Sequence, residues 1–313
     1  MPSPHGAPVV AVRGLTKRFG QKTAVDGVAL DVPRGSVFGL IGPNGAGKTT
    51  TLRMVTALLR PDAGVVHVDG VDVWADPVAA KRRFGVLPDD LHLFERLTGA
   101  EMLTYIGRLR RLPAEDVRTR VRELLVVLGL EGDASTLVAD YSQGMRKKIA
   151  LAAAVLHGPR VLFLDEPFES VDPVSARTIN DVIERFCSGG GTVVFSTHVL
   201  DVVERLCSAV ALIDQGRVVV HGPMDEVRRG ERLEDVFVRL VGRRDLGTDS
   251  LGWLAAGAPD GLAGGDRDVP PPPPGPVAAN GPGPAPQAAG VPRPPPPLPA
   301  WSPPDADGRD GDA

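Results

Sequence analysis

The stretch SVFGLIGPNGAGKTT, residues 36–50, joins two different sequence patterns. Its first part, 36–41, is short, apolar and contains aromatic and β-branched residues, which is typical of a buried parallel strand. Its second part, 42–50, matches the pattern G-x-x-x-x-G-K-[ST]. Glycines let such a loop surround an anion with consecutive backbone N–H groups, at a helix N-terminus whose dipole favours negative charge. The stretch therefore predicts a strand, a phosphate-binding loop and a helix, in that order.

The side chains of this loop predict a nucleoside triphosphate as the ligand. Lys48 would reach the β- and γ-phosphates, and the Thr49 hydroxyl would ligate Mg²⁺. We expect the rest of the loop to bind ATP as well, through Gly42, Pro43, Asn44, Gly45, Ala46, Gly47 and Thr50.

A second motif, VLFLDEP at 161–167, is an apolar strand that ends in two carboxylates. Asp165 at the strand end can hold Mg²⁺ through water, and Glu166 is the candidate to polarise an attacking water. An ordinary strand that ends at an acidic turn is the alternative interpretation. Together with the phosphate loop, the motif predicts binding and hydrolysis of a nucleoside triphosphate.

The remaining periodicity predicts an α/β fold with a mostly parallel sheet. TVVFS (192–196) is a further buried strand, whereas helical spacing occurs in 117–128 and 176–186. VVHVDG (65–70) is predicted to be an antiparallel strand, and AVALI with RVVVHG, around residues 214–216, a hairpin. The fold class expected is a P-loop NTPase core with a small antiparallel β subdomain beside it.

Composition limits the other possibilities. The formal net charge of −4 gives no electrostatic case for nucleic acid as a partner. Cys187 and Cys207 fit reduced thiols better than a disulfide framework. The N-terminus lacks a secretory signal pattern, and apolar runs such as 124–130 are far below the ~20 residues that span a bilayer. From 244 to 313 the chain is rich in Pro, Gly and Ala, which predicts a disordered tail, and 7–243 is the expected folded domain.

The segment YSQGMRKKIA, 141–150, begins a predicted helix with a Ser and a Gly followed by three cations. Ser142, Gln143, Gly144 and Met145 resemble the LSGGQ signature of ABC-type ATPases, with Tyr141 in place of Leu. The order of motifs is also similar: phosphate loop, signature, VLFLDEP, then a lone His after a strand. The resemblance covers essentially all of 7–243 and implies a helical signature subdomain at about 90–156.

Several roles follow from this resemblance alone. Phe19 would stack on adenine, with a plain core position as the alternative, and Val25 would belong to the same ATP site. Asp172, at the end of ESVD, would lie in the loop that crosses to the opposite subunit. His198 would contact the γ-phosphate and orient the hydrolytic machinery, although a lone His near a strand end is usually structural.

In ABC ATPases two nucleotide domains face head to tail, and each signature helix caps the ATP of the other domain. The resemblance therefore implies that Ser142, Gln143 and Gly144 bind ATP held by a second copy or a paralogue. Arg146, Lys147 and Lys148 would strengthen the field toward that anion or be solvated, and a plain helix cap is the alternative interpretation.

Two departures from the family pattern stand out. Asp89 occupies the position where ABC proteins usually carry a Gln that touches Mg²⁺ and the attacking water. It can still ligate Mg²⁺, but it is shorter and charged, which predicts slower hydrolysis or altered communication of the nucleotide state. Gln143 and Met145 also replace Gly and Gln of the signature, so the closest backbone approach at 143 is in doubt.

The resemblance is nearest to the drug-, lipid- and polysaccharide-exporting branch, with compact importers as the competitor. It implies an ATP-binding subunit at the cytoplasmic face of the membrane that drives a separate integral-membrane permease. Leu93, Phe94 and Leu97 are the candidate permease contacts. The alternatives are a soluble ABC ATPase acting on ribosomes or DNA and an ATP-gated scaffold with low turnover.

Overall fold

The strands predicted around the phosphate loop belong to one six-stranded sheet. A computed structural model of the chain describes residues 7–242, and the predicted tail at 244–313 lies outside the described residues. The sheet contains β3 (Val37–Ile41), β6 (Phe84–Leu87), β7 (Val161–Asp165), β8 (Thr192–Thr197), β9 (Ala209–Asp214) and β10 (Arg217–Pro223). Its order is β10-β9-β3-β8-β7-β6, parallel from β9 to β6, with β10 antiparallel at one edge.

A second, four-stranded antiparallel sheet lies earlier in the chain. It contains β1 (Val10–Phe19), β2 (Lys22–Val32), β4 (Ala63–Val68) and β5 (Val71–Asp72), in the order β2-β1-β4-β5. The strand predicted at 65–70 corresponds to β4. The predicted hairpin at 209–223 also forms, but β9 pairs in parallel with β3, so the hairpin extends the main sheet rather than the small one.

Helices connect the strands on both sides of the main sheet. They are α1 (Lys48–Val55), α2 (Pro77–Arg83), α3 (Gly99–Leu109), α4 (Ala114–Val127), α5 (Gln143–Val155), α6 (Pro173–Ser188), α7 (Leu200–Leu206), α8 (Met224–Arg228) and α9 (Leu233–Val241). The helical spacing predicted from the sequence corresponds to α4 and α6. Among residues 7–242, no helix is long and apolar enough to cross a membrane.

Alternation along the buried strands fills two cores, one on each face of the main sheet. In β7, Phe163 packs into the core shared with the antiparallel sheet and α1, whereas Leu162 and Leu164 pack against the helices of the other face. Successive strand residues point to opposite faces, so a strand covered on both sides must be apolar throughout. The predicted α/β class, with a parallel sheet and a smaller antiparallel sheet, is confirmed.

Candidate nucleotide-binding and catalytic site

An open cleft of about 460 Å³ lies where the parallel strands end. Its walls come from segments that directly follow β3, β6, β7 and β8, and from the end of β1 and the start of β2. Residues 44–50 of the loop line it, together with Phe19, Lys22, Ala24, Asp89, Glu166, Glu169 and His198. The carboxyl ends of parallel strands are where α/β folds bind ligands.

A glycine allows the loop that precedes α1 to approach β2 closely. Gly47 has φ +107°, and a Cβ added there would lie only 2.6 Å from the main-chain oxygen of Ala24. Lys48 is 6% exposed and donates hydrogen bonds to the carbonyls of Gly42 at 2.9 Å and Pro43 at 3.3 Å. Gly42 and Pro43 therefore support the lysine and do not line the cleft.

Two oxygen ligands predicted for Mg²⁺ lie side by side at the cleft. Thr49 Oγ1 donates to Asp165 Oδ1 at 3.2 Å, and Ser196 Oγ donates to the same carboxylate oxygen. Burial raises the pKa of Asp165, opposed by the hydrogen bonds from Ser196 and Thr49. Hydroxyl and carboxylate oxygens are what Mg²⁺ prefers, with its remaining positions filled by water and phosphate. No cluster of three or more His, Cys, Asp or Glu suited to a metal occurs within 7–242.

Glu166 follows Asp165 in an uncommon backbone conformation. Its φ is +44°, and its N–H points to the carbonyl and the hydroxyl of Ser196 at 3.2 and 3.1 Å. The carboxylate accepts a hydrogen bond from His198 Nδ1 at 3.2 Å and lies 3.8 Å from Lys48 Nζ. The structure thus brings the predicted base, the predicted histidine and the loop lysine into contact.

Of the two residues expected to contact the adenine end of ATP, one lines the cleft and the other does not. Phe19, at the end of β1, is 51% exposed and lines the cleft. It is therefore not a core residue, which was the alternative interpretation. Val25 is fully buried in the core and does not line the cleft, whereas its neighbour Ala24 does. Because alternate residues of a strand face opposite sides, Val25 points into the core when Ala24 points out.

The signature residues lie outside the cleft of their own chain. Ser142 caps α5, since its Oγ accepts a hydrogen bond from the Met145 N–H at 3.2 Å. A Cβ on Gly144 would lie 2.8 Å from Asp172 Oδ2, so the N-termini of α5 and α6 meet. Asp172 caps α6 through the N–H groups of Val174 and Ser175, and these bonds, led by that of Ser175, lower its pKa. Ser142, Gln143 and Asp172 are exposed, Gly144 is buried against Asp172, and none of these four residues lines the cleft.

The three cations of this segment do not behave as expected. Because α5 begins at Gln143, only Arg146 falls in its first turn. Arg146 donates to the carbonyls of Tyr141 and Ala139 and pairs with Glu95 at 3.1 Å. Lys147 and Lys148 are 2% and 8% exposed. The prediction that they face an outside anion or solvent is wrong, because the phase of the helix turns both lysines inward.

Sequence reasoning missed Ser196, which links the motif carboxylates to β8. The residue ends the predicted strand TVVFS, and a polar side chain there, beside a strand that ends in Asp165, was the available signal. Lys22 also lines the cleft, and no motif marked it. Glu169 lines the cleft as the first residue of the ESVD segment, in which only Asp172 was assigned a role.

A glycine-rich loop between a strand and a helix, a Thr–Asp pair beside it and a carboxylate at the next strand end define a P-loop nucleotide-binding protein. Comparison with known proteins specifies the class further. Residues 25–169 match the model of the family described as ABC transporter. The chain belongs to the family of ABC transporter ATP-binding proteins, as the signature resemblance predicted.

Its relatives include proteins named for resistance and export. The chain is 40% identical to a daunorubicin resistance ATP-binding protein of Streptomyces coeruleorubidus, over 75% of each chain. It is 38% identical to the Nod factor export ATP-binding protein I of Ralstonia nicotianae, over 72% of this chain and 70% of that one. A solved structure of the ATP-binding subunit of an ABC transporter is 30% identical with a TM-score of 0.70, and the match covers 74% of this chain and 99% of that one. These names agree with the exporter branch that the signature indicated.

Proposed function

We propose that this chain is the ATP-hydrolysing subunit of an ABC exporter, that it pairs head to tail with a second nucleotide-binding domain, and that it drives a separate membrane permease from the cytoplasmic face. The observation that carries the proposal is the separation of two sets of residues. The cleft is lined by residues 44–50 of the loop, Glu166 and His198, with Asp165 beside it as the hydrogen-bond partner of Thr49, whereas Ser142 and its neighbours lie outside it. Each chain then supplies one half of two different ATP sites.

Binding would use the loop and the exposed aromatic ring. The loop precedes α1, so its backbone N–H groups and the ammonium of Lys48 would bind the phosphates, and the half-exposed Phe19 ring is available to stack on adenine. When ATP enters, Lys48 would exchange its carbonyl partners at Gly42 and Pro43 for phosphate oxygens. In this assignment the lysine is held in place before the ligand arrives.

Thr49 and Asp165 would hold Mg²⁺, with Asp89 as a further carboxylate beside them. The ion would neutralise charge on the β- and γ-phosphates. Ser196 fixes the Asp165 carboxylate by donating to it. Thr49 donates to the same oxygen, so Asp165 is held beside the cleft by two hydroxyl groups.

Hydrolysis forms a bond from the water oxygen to the γ-phosphorus and breaks the bond from that phosphorus to the β–γ bridging oxygen. The Glu166 carboxylate would take a proton from the water, and the bridging oxygen would leave with ADP. His198 contacts this carboxylate through its ring nitrogen Nδ1. In this arrangement Glu166 acts as the base and His198 orients it.

The second half of each site would come from the partner's Ser142, Gln143 and Gly144, with Asp172 beside them. Gly144 packs so closely on Asp172 that the two helix N-termini form one surface. Helix N-termini favour anions, which supports a γ-phosphate as the ligand of this surface. Because Gln143 carries a side chain where the signature usually has Gly, contact would depend on Ser142 and the Gly144 N–H.

The permease would dock on the helical part of the chain. Phe94 and Tyr105 are each 48% exposed and stack edge to face at 5.2 Å, and Leu109 nearby in sequence is 68% exposed. Leu93 and Leu97, the other two candidates, are partly buried against the core. Exposed apolar side chains that cluster on a surface are typical of a protein interface. Phe94 is therefore the candidate contact that the burial supports best.

Complementation between two inactive variants tests the shared site. Ser142→Arg blocks the half supplied to the partner, and Lys48→Ala disables the chain's own cleft. Each variant alone should be inactive. Random pairing makes half of the dimers mixed, each with one intact site, so the mixture should recover up to about a quarter of wild-type turnover. Full turnover by Ser142→Arg alone, as a monomer, would contradict the head-to-tail site.

A scaffold with low turnover is the second candidate, and the observation that favours it is Asp89. This exposed carboxylate lines the cleft where the family usually carries a Gln. Glu166→Gln decides between the two functions, because loss of a general base lowers kcat by about 10²–10⁴-fold. Equal, near-zero rates for the wild type and Glu166→Gln would support the scaffold and exclude the enzyme.

A further inference from the structure

Lys147 is a buried cation that contacts the segment carrying the proposed base. Its side chain is 2% exposed, and its Nζ donates a hydrogen bond to the main-chain carbonyl oxygen of Glu166 at 2.7 Å. Burying an ammonium group is costly unless it is paired and hydrogen-bonded. The partner recorded for it within 7–242 is this carbonyl rather than a carboxylate. One hydrogen bond to a neutral carbonyl does not offset the cost of burying the Lys147 ammonium group, so this burial indicates a function for the residue.

The carbonyl that Lys147 holds belongs to a strained residue. Glu166 has φ +44°, a conformation that non-glycine residues adopt rarely and that persists only where the surroundings impose it. Ser196 binds the N–H of Glu166 from β8, and Lys147 binds its C=O from α5. Two different elements thus fix the two sides of one residue. Because the direction of a side chain follows from its backbone, they also aim the carboxylate toward His198.

The charges around Lys147 are consistent with this position. Burial lowers the pKa of Lys147, and the carboxylates of Asp89, Glu169, Glu166 and Asp165 oppose that shift. These four acids lie at or beside the cleft. The buried ammonium group of Lys147 offsets part of the repulsion between these carboxylates. It does not line the cleft, so it leaves the space where phosphates would bind open.

We propose that Lys147 is a positioning residue for hydrolysis, which holds the Glu166 carbonyl from α5 and thereby keeps the Glu166 carboxylate in place to accept the proton of the attacking water. The inference rests on the proposed function, because it takes Glu166 as the base. Lys147 also lies about one turn beyond Ser142 and Gly144 on the same helix. An ATP molecule that displaces the N-terminus of α5 in one chain would therefore shift the base that serves the other ATP.

The variant Lys147→Met tests the role, because it keeps the length and volume of the side chain but removes its charge and its donors. The matched control is Lys148→Met, on the next residue of the same helix. Lys148 is also buried, at 8% exposure, but no side-chain hydrogen bond to the Glu166 segment occurs for it within 7–242. Lys147→Gln, which retains a donor without the charge, is the second test variant.

We expect kcat of Lys147→Met to fall by at least about 10-fold, since a misplacement near 1 Å costs up to about 10²-fold in rate. The Kd for a non-hydrolysable ATP analogue should stay within about twofold of wild type, since the lost interaction acts on the chemical step. The Tm should be unchanged or higher, because an apolar side chain replaces a buried charge. Lys147→Gln should lie between the wild type and Lys147→Met in kcat, and Lys148→Met should keep the kcat of wild type.

Three results would overturn the inference: a kcat of Lys147→Met close to wild type, a joint fall of its kcat, analogue affinity and Tm, or an equal loss of kcat in Lys148→Met. Glu166→Gln, measured in parallel, separates this failure from that of the proposed function. If Glu166→Gln abolishes turnover and Lys147→Met does not, only the role of Lys147 is refuted. If Glu166→Gln leaves turnover intact, the proposed base and the positioning role both fail.

Discussion

Gly47 and Gly45 provide a matched pair that measures how closely the phosphate loop approaches β2. Both lie in the loop with positive φ, +107° for Gly47 and +80° for Gly45. A Cβ on Gly47 would lie 2.6 Å from the Ala24 carbonyl oxygen, whereas a Cβ on Gly45 would meet nothing within 4 Å. The same substitution by Ala therefore adds backbone strain at both positions but a collision at only one.

The difference in stability can be worked out from these distances. A left-handed Ala costs about 1–2 kcal/mol, and the lower entropy of the unfolded Ala variant offsets about 0.4–1 kcal/mol of this. Gly45→Ala should therefore lower the free energy of unfolding by at most about 1.6 kcal/mol. In Gly47→Ala the loop must also move by about 0.8 Å, from 2.6 Å to the 3.4 Å at which ordinary contact begins. Overpacking of this kind costs about 1–3 kcal/mol more.

Thermal unfolding of the protein without nucleotide is the assay, because bound ATP would add its own contribution to stability. For a domain of this size 1 kcal/mol corresponds to about 2–4 °C. Gly45→Ala should lower Tm by at most about 6 °C, and Gly47→Ala should lower it by about 2–12 °C more than Gly45→Ala does. If the two variants shift Tm equally, the close approach of the loop to β2 is refuted.

Two further variants test Asp89 in the cleft and the partly buried His157. Asp89→Gln should raise kcat severalfold in a steady-state ATPase assay, because it removes a carboxylate that faces phosphates and other acids; an unchanged or lower kcat would refute this reason. Burial lowers the pKa of His157 to about 4, so stability should be full above pH 6.5 and fall as the pH drops toward 4. His157→Gln should weaken this dependence in acid-denaturation curves, whereas the exposed control His92→Gln should leave it unchanged.

The motif residues of the cleft could be predicted because each follows a strand directly in the sequence. The loop after β3, Glu166 after β7 and His198 after β8 meet once parallel strands are assumed. The strands β1 and β2 were not predicted. Their pairing contains several register shifts, and a bulge interrupts the alternation of apolar and polar residues on which a strand prediction depends.

Orientation was harder to predict than position. Placing Ala24 rather than Val25 in the cleft requires the register of β2, which a single sequence does not provide. The charge of Lys147 suggested an exposed position, but its spacing from apolar residues of the same helix indicates a buried one. Ala150, Leu151 and Ala154 lie three, four and seven residues after it and are all buried, so the lysine shares their face.

The segment 88–97, between β6 and α3, is anchored unevenly. Its second half is tied down by main-chain hydrogen bonds from Val138 to Leu97 and from Ala139 to Glu95, and the capping box at Thr98 fixes the start of α3. Among residues 7–242, the only backbone hydrogen bond of 88–93 is a local one from the His92 N–H to the Asp90 carbonyl. If a partner displaced Phe94, α3 and the segment after α4 would therefore move together with it. The change in backbone conformation would fall in 88–93. Asp89 belongs to 88–93 and lines the cleft, so a displacement of Phe94 would change the position of Asp89 in the nucleotide site.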